Sequence, residues 1–221
     1  MQRDWEYGKM PFSPNRTDGG MARPREFDEN IVLGAAVECF WNHGYEATSV
    51  RDLVEKTGIT SASLYNAFGD KRALYQRALE HYVEENIADR IRRCETRAPR
   101  EAIGEFFSEI LRRSLNDSQH KGCMLVNAAL DLAPHNLDFR KVVAGVLVQI
   151  EVFFLGCIRA GQADGTITRS ISSESLASHL LGVLMGVRVL ARVRPERSLL
   201  EGVVAPALAM LERSEGKLVK R

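Results

Sequence analysis

At 221 residues, 45% of them hydrophobic and 27% charged, the chain is long enough for one large or two compact domains, and its globular composition excludes a collagen-like, low-complexity or wholly disordered protein. A formal net charge of +1 gives no bulk electrostatic case for nucleic acid or an anionic membrane, so partners must be argued from motifs. The best apolar run, Leu180 to Val187, stops at Arg188, short of the roughly 18 residues of a spanning helix; with no apolar leader-like stretch at the start, no membrane association and a cytoplasmic location are expected.

Residues 1–24, with Pro11, Pro14, Gly19, Gly20 and Pro24, read as a flexible arm in which Met21 is a second candidate start. From Asp28 the apolar positions Val32, Ala35, Ala36, Cys39 and Phe40 recur at helical spacing up to Gly44. Ser49 and Asp52, three residues apart, suit a capping box for a short second helix that closes at Thr57-Gly58. Thr60 then caps a third helix, with Leu64 and Phe68 on one face, that Gly69-Asp70 ends. Beyond Asp70, helical patterns cover about 70–95, 100–116, 122–133, 137–162, 173–194 and 198–213. The breaks at Pro99, Asn116-Asp117-Ser118, Pro134, Ala163-Asp164-Gly165 and Pro195 are turn chemistry. The fold class is therefore all-α. The four cysteines, Cys39, Cys94, Cys123 and Cys157, lie far apart with no CxxC pair and no zinc-like spacing, so no metal and no cofactor is expected.

Two short helices joined by a turn containing Gly58 follow the helix-turn-helix plan, which by itself also occurs as plain packing. The wording is more specific: Ala35-Ala36, Phe40, Gly44-Tyr45, Thr48-Ser49-Val50, Leu53, Gly58-Ile59-Thr60, Leu64-Tyr65, Phe68, Lys71 and Ala73-Leu74 fall in order without gaps. Over roughly residues 26–76 the sequence resembles the tetracycline-repressor (TetR/AcrR) family of bacterial transcription regulators. The resemblance implies an N-terminal three-helix helix-turn-helix DNA-binding domain (25–72) and a C-terminal helical ligand-binding and dimerisation domain (73–221). It further implies a homodimer that binds double-stranded DNA at a pseudo-palindromic operator, most simply as a repressor released by a small-molecule effector.

As a DNA reader the motif makes physical sense. Thr48, Ser49 and the start of the second helix offer donors to phosphate, while Thr60, Ser61, Tyr65 and Asn66 lie along the outer part of the third, where Asn suits adenine and Ser or Thr several base edges. The resemblance makes Tyr65 and Lys71 phosphate contacts and Arg51 a contact from the second helix; Arg51 can alternatively reach a guanine. Ser61 stands where the family commonly has Lys. Residues 21–82 carry seven Lys and Arg against nine Asp and Glu, a net of −2, so few phosphates are neutralised per subunit and affinity should depend on the dimer.

In the remainder, Leu176, Leu180, Leu181, Val183, Leu184, Val187 and Leu190 on one helix and Val203, Val204, Leu208 and Leu211 on the last form more apolar surface than one face needs. These two helices are the expected dimer pair, with Gly182 and Gly186 allowing close approach; the plain alternative is intramolecular core. Phe106, Phe107, Ile110, Met124, Asn127, Phe153, Phe154, Cys157, His179 and Met185 are candidate lining of an apolar effector pocket, each also explicable as core. Cys123, in His120-Lys121-Gly122-Cys123-Met124, begins a helix beside cationic Lys121, two features that favour thiolate and reaction with electrophiles; a small buried side chain is the plain alternative. Cys39 is expected in the core, Cys94 at the surface, and Cys157 towards core or pocket. The competing functional class is an all-α thiol enzyme or ligand carrier using Cys123, which no Ser/His/Asp or Cys/His spacing supports.

Overall fold

The structure, a computed structural model, describes residues 27–213; the expected arm at 1–24 lies outside them. Every regular element there is helical: α1 Glu29–His43, α2 Val50–Thr57, α3 Ser61–Phe68, α4 Lys71–Val83, a π-helical turn Glu84–Ala88, α5 Asp89–Glu95, α6 Pro99–Leu115, α7 Met124–Asp131, α8 Leu137–Asp164, α9 Ser173–Val193 and α10 Arg197–Ala209. The all-α expectation holds, and the caps expected at Ser49 and Thr60 form. Asp28, Ser49, Thr60, Asn136 and Ser172 each accept a backbone N–H at a helix start, satisfying donors that the helix itself leaves orphaned. Gly58 closes α2 in the left-handed conformation, φ 72°, which a side chain would resist.

One expected element is interrupted. The pattern over 70–95 is a helix broken by one π turn, in which the Asp89 N–H reaches the Glu84 carbonyl and the Asn86 amide takes the Tyr82 carbonyl at 3.0 Å. Periodicity does not register an extra residue in a helical turn.

The chain divides into two compact units, residues 1–81 and 82–221, nine residues later than the expected 72/73 boundary. The start of α4 belongs with the first unit because Tyr75 stacks edge-on against Phe40 (4.9 Å) and Tyr45 (5.2 Å), and Leu74, Ala78 and Leu79 are fully buried. With Val32, Leu33, Ala36, Leu53 and Leu64 they form that unit's core.

The second unit is a bundle in which α8 and α9 pack along their length, with α5, α6, α7 and α10 around them. Its centre is aromatic: Phe106, Phe107, Phe153 and Phe154 lie 5.2 to 6.1 Å apart, centre to centre. Cys94, expected at the surface, is fully buried, since α5 turns that side onto α6. By length and composition alone α8 and α9 are apolar enough to cross a bilayer, which an uninterrupted-run criterion missed because Glu151 and Arg188 break the runs. In the bundle each helix lays one face on the other, and the Ser178 hydroxyl donates to Glu151 at 2.6 Å. Val148 and Val152 of α8 and Val189 and Val193 of α9 stay exposed, whereas α10 turns Leu200, Val204 and Ala207 inward. Exposed apolar surface is thus found on α8 and α9, and also at the end of α10 on Met210.

A buried ionic set joins α5 to α6. Arg90 Nε donates to Glu109 Oε2 at 3.1 Å with both side chains 4% exposed, Arg93 grips the same carboxylate, and Arg90 lies over the Phe106 ring. The Arg93 hydrogen bonds, helped by Arg90, outweigh burial and hold Glu109 down at about 2. A carboxyl depressed on folding stabilises the fold above its ordinary range, and that contribution disappears as pH falls towards its folded value. Glu109→Gln should therefore cost roughly 3 kcal/mol at pH 7 and flatten the fall in stability between about pH 4.5 and pH 2, measured by urea unfolding across that range.

Candidate nucleic-acid interface and interior thiol

The helix-turn-helix spends several of its polar groups on itself. Thr48 is fully buried and its hydroxyl donates to the Gly44 carbonyl at 2.6 Å, so it is a fold residue and not a phosphate donor. Ser49 and Asp52 form the expected capping box: the Ser49 hydroxyl and N–H donate to Asp52 Oδ2 at 2.7 and 2.8 Å, and the Asp52 N–H returns to Ser49 Oγ at 3.2 Å. These Ser49 bonds hold Asp52 below the usual carboxylate range. An anionic side chain thus already occupies the positive end of α2, which weakens the expected role of that helix start as a phosphate anchor. The Thr60 hydroxyl donates to Ser63 Oγ at 3.0 Å and accepts the Ser63 N–H at 3.1 Å, leaving it as the cap of α3.

What remains is a compact set. Ser61, Tyr65 and Asn66 on the outer face of α3 and Arg51 on α2 are all exposed, and none makes a side-chain hydrogen bond or ion pair among the described residues. Tyr65 keeps 39% of its surface exposed while Leu64 and Phe68 on the inner face are buried. Lys71, at the start of α4, is aimed: its Nζ donates to the Glu46 carbonyl at 3.3 Å and sits 4.6 Å from the centre of the Tyr45 ring. Tyr45 is thus a positioning residue that a list of phosphate-contacting side chains would omit. Its signal is the Gly44-Tyr45 step ahead of the capping box.

The expected pocket residues differ in burial. Phe106, Phe107, Ile110, Met124 and Phe153 are buried, and the three phenylalanines pack ring against ring with Phe154. Asn127, Cys157 and Met185 are half-buried and His179 is exposed, because the α9 face that carries it points away from α8's buried side. Asn127 is engaged, its amide donating to the Lys121 carbonyl at 3.1 Å and its oxygen accepting from Arg192 at 2.9 Å.

Cys123 stands apart from the other thiols. It is the N-cap residue of α7 and 7% exposed, and the Tyr82 hydroxyl donates to its Sγ at 3.5 Å. Burial pushes the Cys39, Cys94 and Cys157 thiols up, the last to about 11. Burial acts on Cys123 in the same direction, yet the Arg188 guanidinium, the Tyr82 hydroxyl and the Val126 N–H outweigh it and leave the thiol lowered. The cation responsible is Arg188 of α9, not the expected Lys121. Arg188 donates to Ser114 Oγ at 3.0 Å and to the Gly122 carbonyl at 3.2 Å. Gly122, at φ 71°, lets the turn carry its carbonyl to that group. Tyr82, Ser114 and Arg188 were absent from the sequence-derived site; the available signal was a charged residue inside the apolar face of α9.

Comparison with known proteins now bears on both regions. Residues 32–78 match the model for bacterial regulatory proteins of the tetR family, and residues 99–205 match that for the tetracyclin repressor-like C-terminal domain. The HTH-type transcriptional regulator YezE of Bacillus subtilis is 31% identical over 87% of this chain and 100% of its own length. The HTH-type transcriptional repressor ComR of Escherichia coli is 30% identical over 77% of this chain and 82% of its own. Among solved structures, a cysteine mutant of the TetR family regulator CifR, complexed with 26-bp double-strand operator DNA, is 33% identical with a TM-score of 0.75, covering 86% of this chain and 100% of that one.

The α2 cap is testable without any ligand. Ser49→Ala should lower stability by about 1 kcal/mol, read as a decrease in the thermal midpoint by far-ultraviolet circular dichroism.

Proposed function

The chain belongs to the tetR family of bacterial transcription regulators and is a DNA-binding regulator rather than an enzyme, which removes the thiol-enzyme alternative; from that premise we propose that it is a cytoplasmic homodimeric repressor, released from a pseudo-palindromic operator by a small apolar or electrophilic effector. The observation that carries the reading is the outer face of α3: Ser61, Tyr65 and Asn66 are exposed and unengaged on a helix whose inner face is fully packed. Tyr65, and Lys71 held by Tyr45, contact phosphate; Arg51, Ser61 and Asn66 address phosphate or base edges. The repressor sense is supported by the ComR relative and the operator complex of CifR.

Two copies are needed because one eight-residue reader with few cations holds few phosphates. The second copy covers the exposed apolar face of α8 and α9, where Val148, Val152, Val189 and Val193 lie and where a Cβ on Gly182 or Gly186 would meet nothing within 4 Å. Two α3 helices then enter successive major grooves about one helical turn apart. α4 carries the chain from the reader unit into the effector unit. An effector releases DNA only to the extent that it prefers the subunit arrangement that misplaces the readers.

Fluorescence anisotropy against the DNA upstream of the protein's own gene, with unrelated DNA as competitor, tests the reading. The double variant Tyr65→Ala with Lys71→Ala should weaken operator binding by on the order of a hundredfold with helicity and oligomeric state intact; unchanged binding would sink the interface assignment. Val148→Glu with Val189→Glu should convert the dimer to a monomer in sedimentation velocity, and a persistent dimer would move the interface off α8 and α9.

A further inference from the structure

Arg188 presents a physical problem that the fold leaves unsolved. It is 9% exposed, its acceptors are the neutral Ser114 hydroxyl and Gly122 carbonyl, and its Nε has no hydrogen-bond partner. No carboxylate pairs with it among the described residues, in contrast to Arg90, which has Glu109. Taking a guanidinium out of water without a counter-charge is expensive, and a buried donor left empty adds to the cost. The one group beside it able to supply negative charge without a carboxylate is Cys123, placed at the start of α7 with the Tyr82 hydroxyl on its sulfur. The charged and titratable groups around this sulfur are Tyr82 from α4 and Arg188 from α9. Arg90 of α5 is the next cation, itself neutralised by Glu109 of α6, and Arg113 lies beyond it.

We propose that Cys123, Arg188 and Tyr82 form a covalent effector site for small uncharged α,β-unsaturated carbonyl compounds, and that addition to the Cys123 sulfur is what releases the operator. The inference rests on the reading of the chain as an effector-released repressor. Cys123, as thiolate, forms an S–C bond to the β-carbon; the C=C π pair moves to the α-carbon and its carbonyl, and the negative charge develops on the carbonyl oxygen. The unpartnered Arg188 Nε–H is a donor available to that oxygen, and so is the Tyr82 O–H once the sulfur it now donates to has reacted. The α-carbon then takes a proton from water, replacing the one the thiol gave up, so the net change is addition of S–H across the double bond with no oxidant or reductant. A charged cationic reagent is disfavoured by Arg188 and Arg90, and the neighbouring Met124, Leu125 and Val126 are apolar and buried. The turn over 116–123 that leads into Cys123 leaves His120 exposed at φ 52°.

The consequence follows from charge. A thioether cannot ionise, so the adduct leaves Arg188 buried and uncompensated, and breaking such a pair on one side is strongly destabilising. The elements that meet at the cluster are the end of α4 at Tyr82, α6 at Ser114, the start of α7, and α9 at Arg188. They can relieve that strain only by repacking, and Tyr82 sits immediately before the π turn on the helix that comes from the reader unit.

N-ethylmaleimide, an uncharged unsaturated dicarbonyl, is the probe, applied to the full chain bound to its operator. Intact-mass spectrometry with peptide mapping should show one adduct per chain, on Cys123 ahead of Cys39, Cys94 and the more exposed Cys157, with loss of anisotropy in step. Cys123→Ser, whose hydroxyl stays neutral beside Arg188, should bind the operator more weakly than wild type before treatment and show no further change on it. The pH–rate profile separates Arg188's positioning role from plain packing. Arg188→Met should move the profile to higher pH and slow labelling at pH 7 on the order of tenfold, and Arg188→Lys should restore much of it. If Arg188→Met does not fold, the wild-type profile decides by itself, and a midpoint at or above that of an ordinary thiol overturns the proposal. Labelling of Cys157 first, or a Cys123 adduct with DNA still bound, also overturns it. Untreated protein that fails to bind any operator would count against the repressor reading instead, without reference to the thiol.

Discussion

A helix of eight residues has almost no stability of its own in water, and the outer face of α3 is usable only because everything else about that helix is fixed. Thr60 closes its start, Gly69 its end, and Leu64 and Phe68 bury its inner side. α2, equally short, is held by the Ser49–Asp52 box, by Gly58 and by fully buried Leu53. The constraint explains why the polar residues of the motif divide as they do. The hydroxyls of Thr48 and Thr60 are consumed in making the two helices exist, and the exposed residues left over are the ones proposed to address DNA.

The same economy shapes the electrostatics. With Asp52 at the positive end of α2 and an acidic balance across residues 21–82, the charge count of the reader favours no broad basic surface, and among the described residues individual cations are held in place. Lys71 is the clearest case, oriented by an aromatic face and a carbonyl rather than by an acidic partner that would cancel its charge. In the proposed dimer, specificity would come from alignment of a few groups and affinity from the second copy.

In the second unit two buried arginines meet opposite fates. Arg90 is neutralised by Glu109, shared with Arg93, and acts as structure. Arg188 has only neutral acceptors and a thiol. The first arrangement carries its own counter-charge down to the low pH at which Glu109 is protonated, whereas the group beside the second that can supply one is the Cys123 thiol, which Arg188 lowers against burial. That difference is the basis for the proposed sensitivity of the bundle to a reaction at Cys123.

The sequence by itself determined the helical class, the helix ends and the reader. These rest on local chemistry: apolar spacing for Val32 to Phe40, capping by Ser49 and Thr60, and breaks at Gly58, Pro99 and Pro195 are properties of neighbouring residues. Cys123 was also legible as unusual, since its place at a helix start is local. Which cation it faces was not: Lys121 is adjacent in sequence, but Arg188, 65 positions further along the chain, is the group that folding brings to the sulfur. The burial of Cys94, the exposure of His179, the closure of the phenylalanine rings into core and the choice of α8 with α9 for the exposed apolar face were likewise decided by tertiary packing. The reason is the same in each case. Periodicity tells which residues share a helix face, but only the packing of one helix on another decides whether that face meets core, water or a second chain.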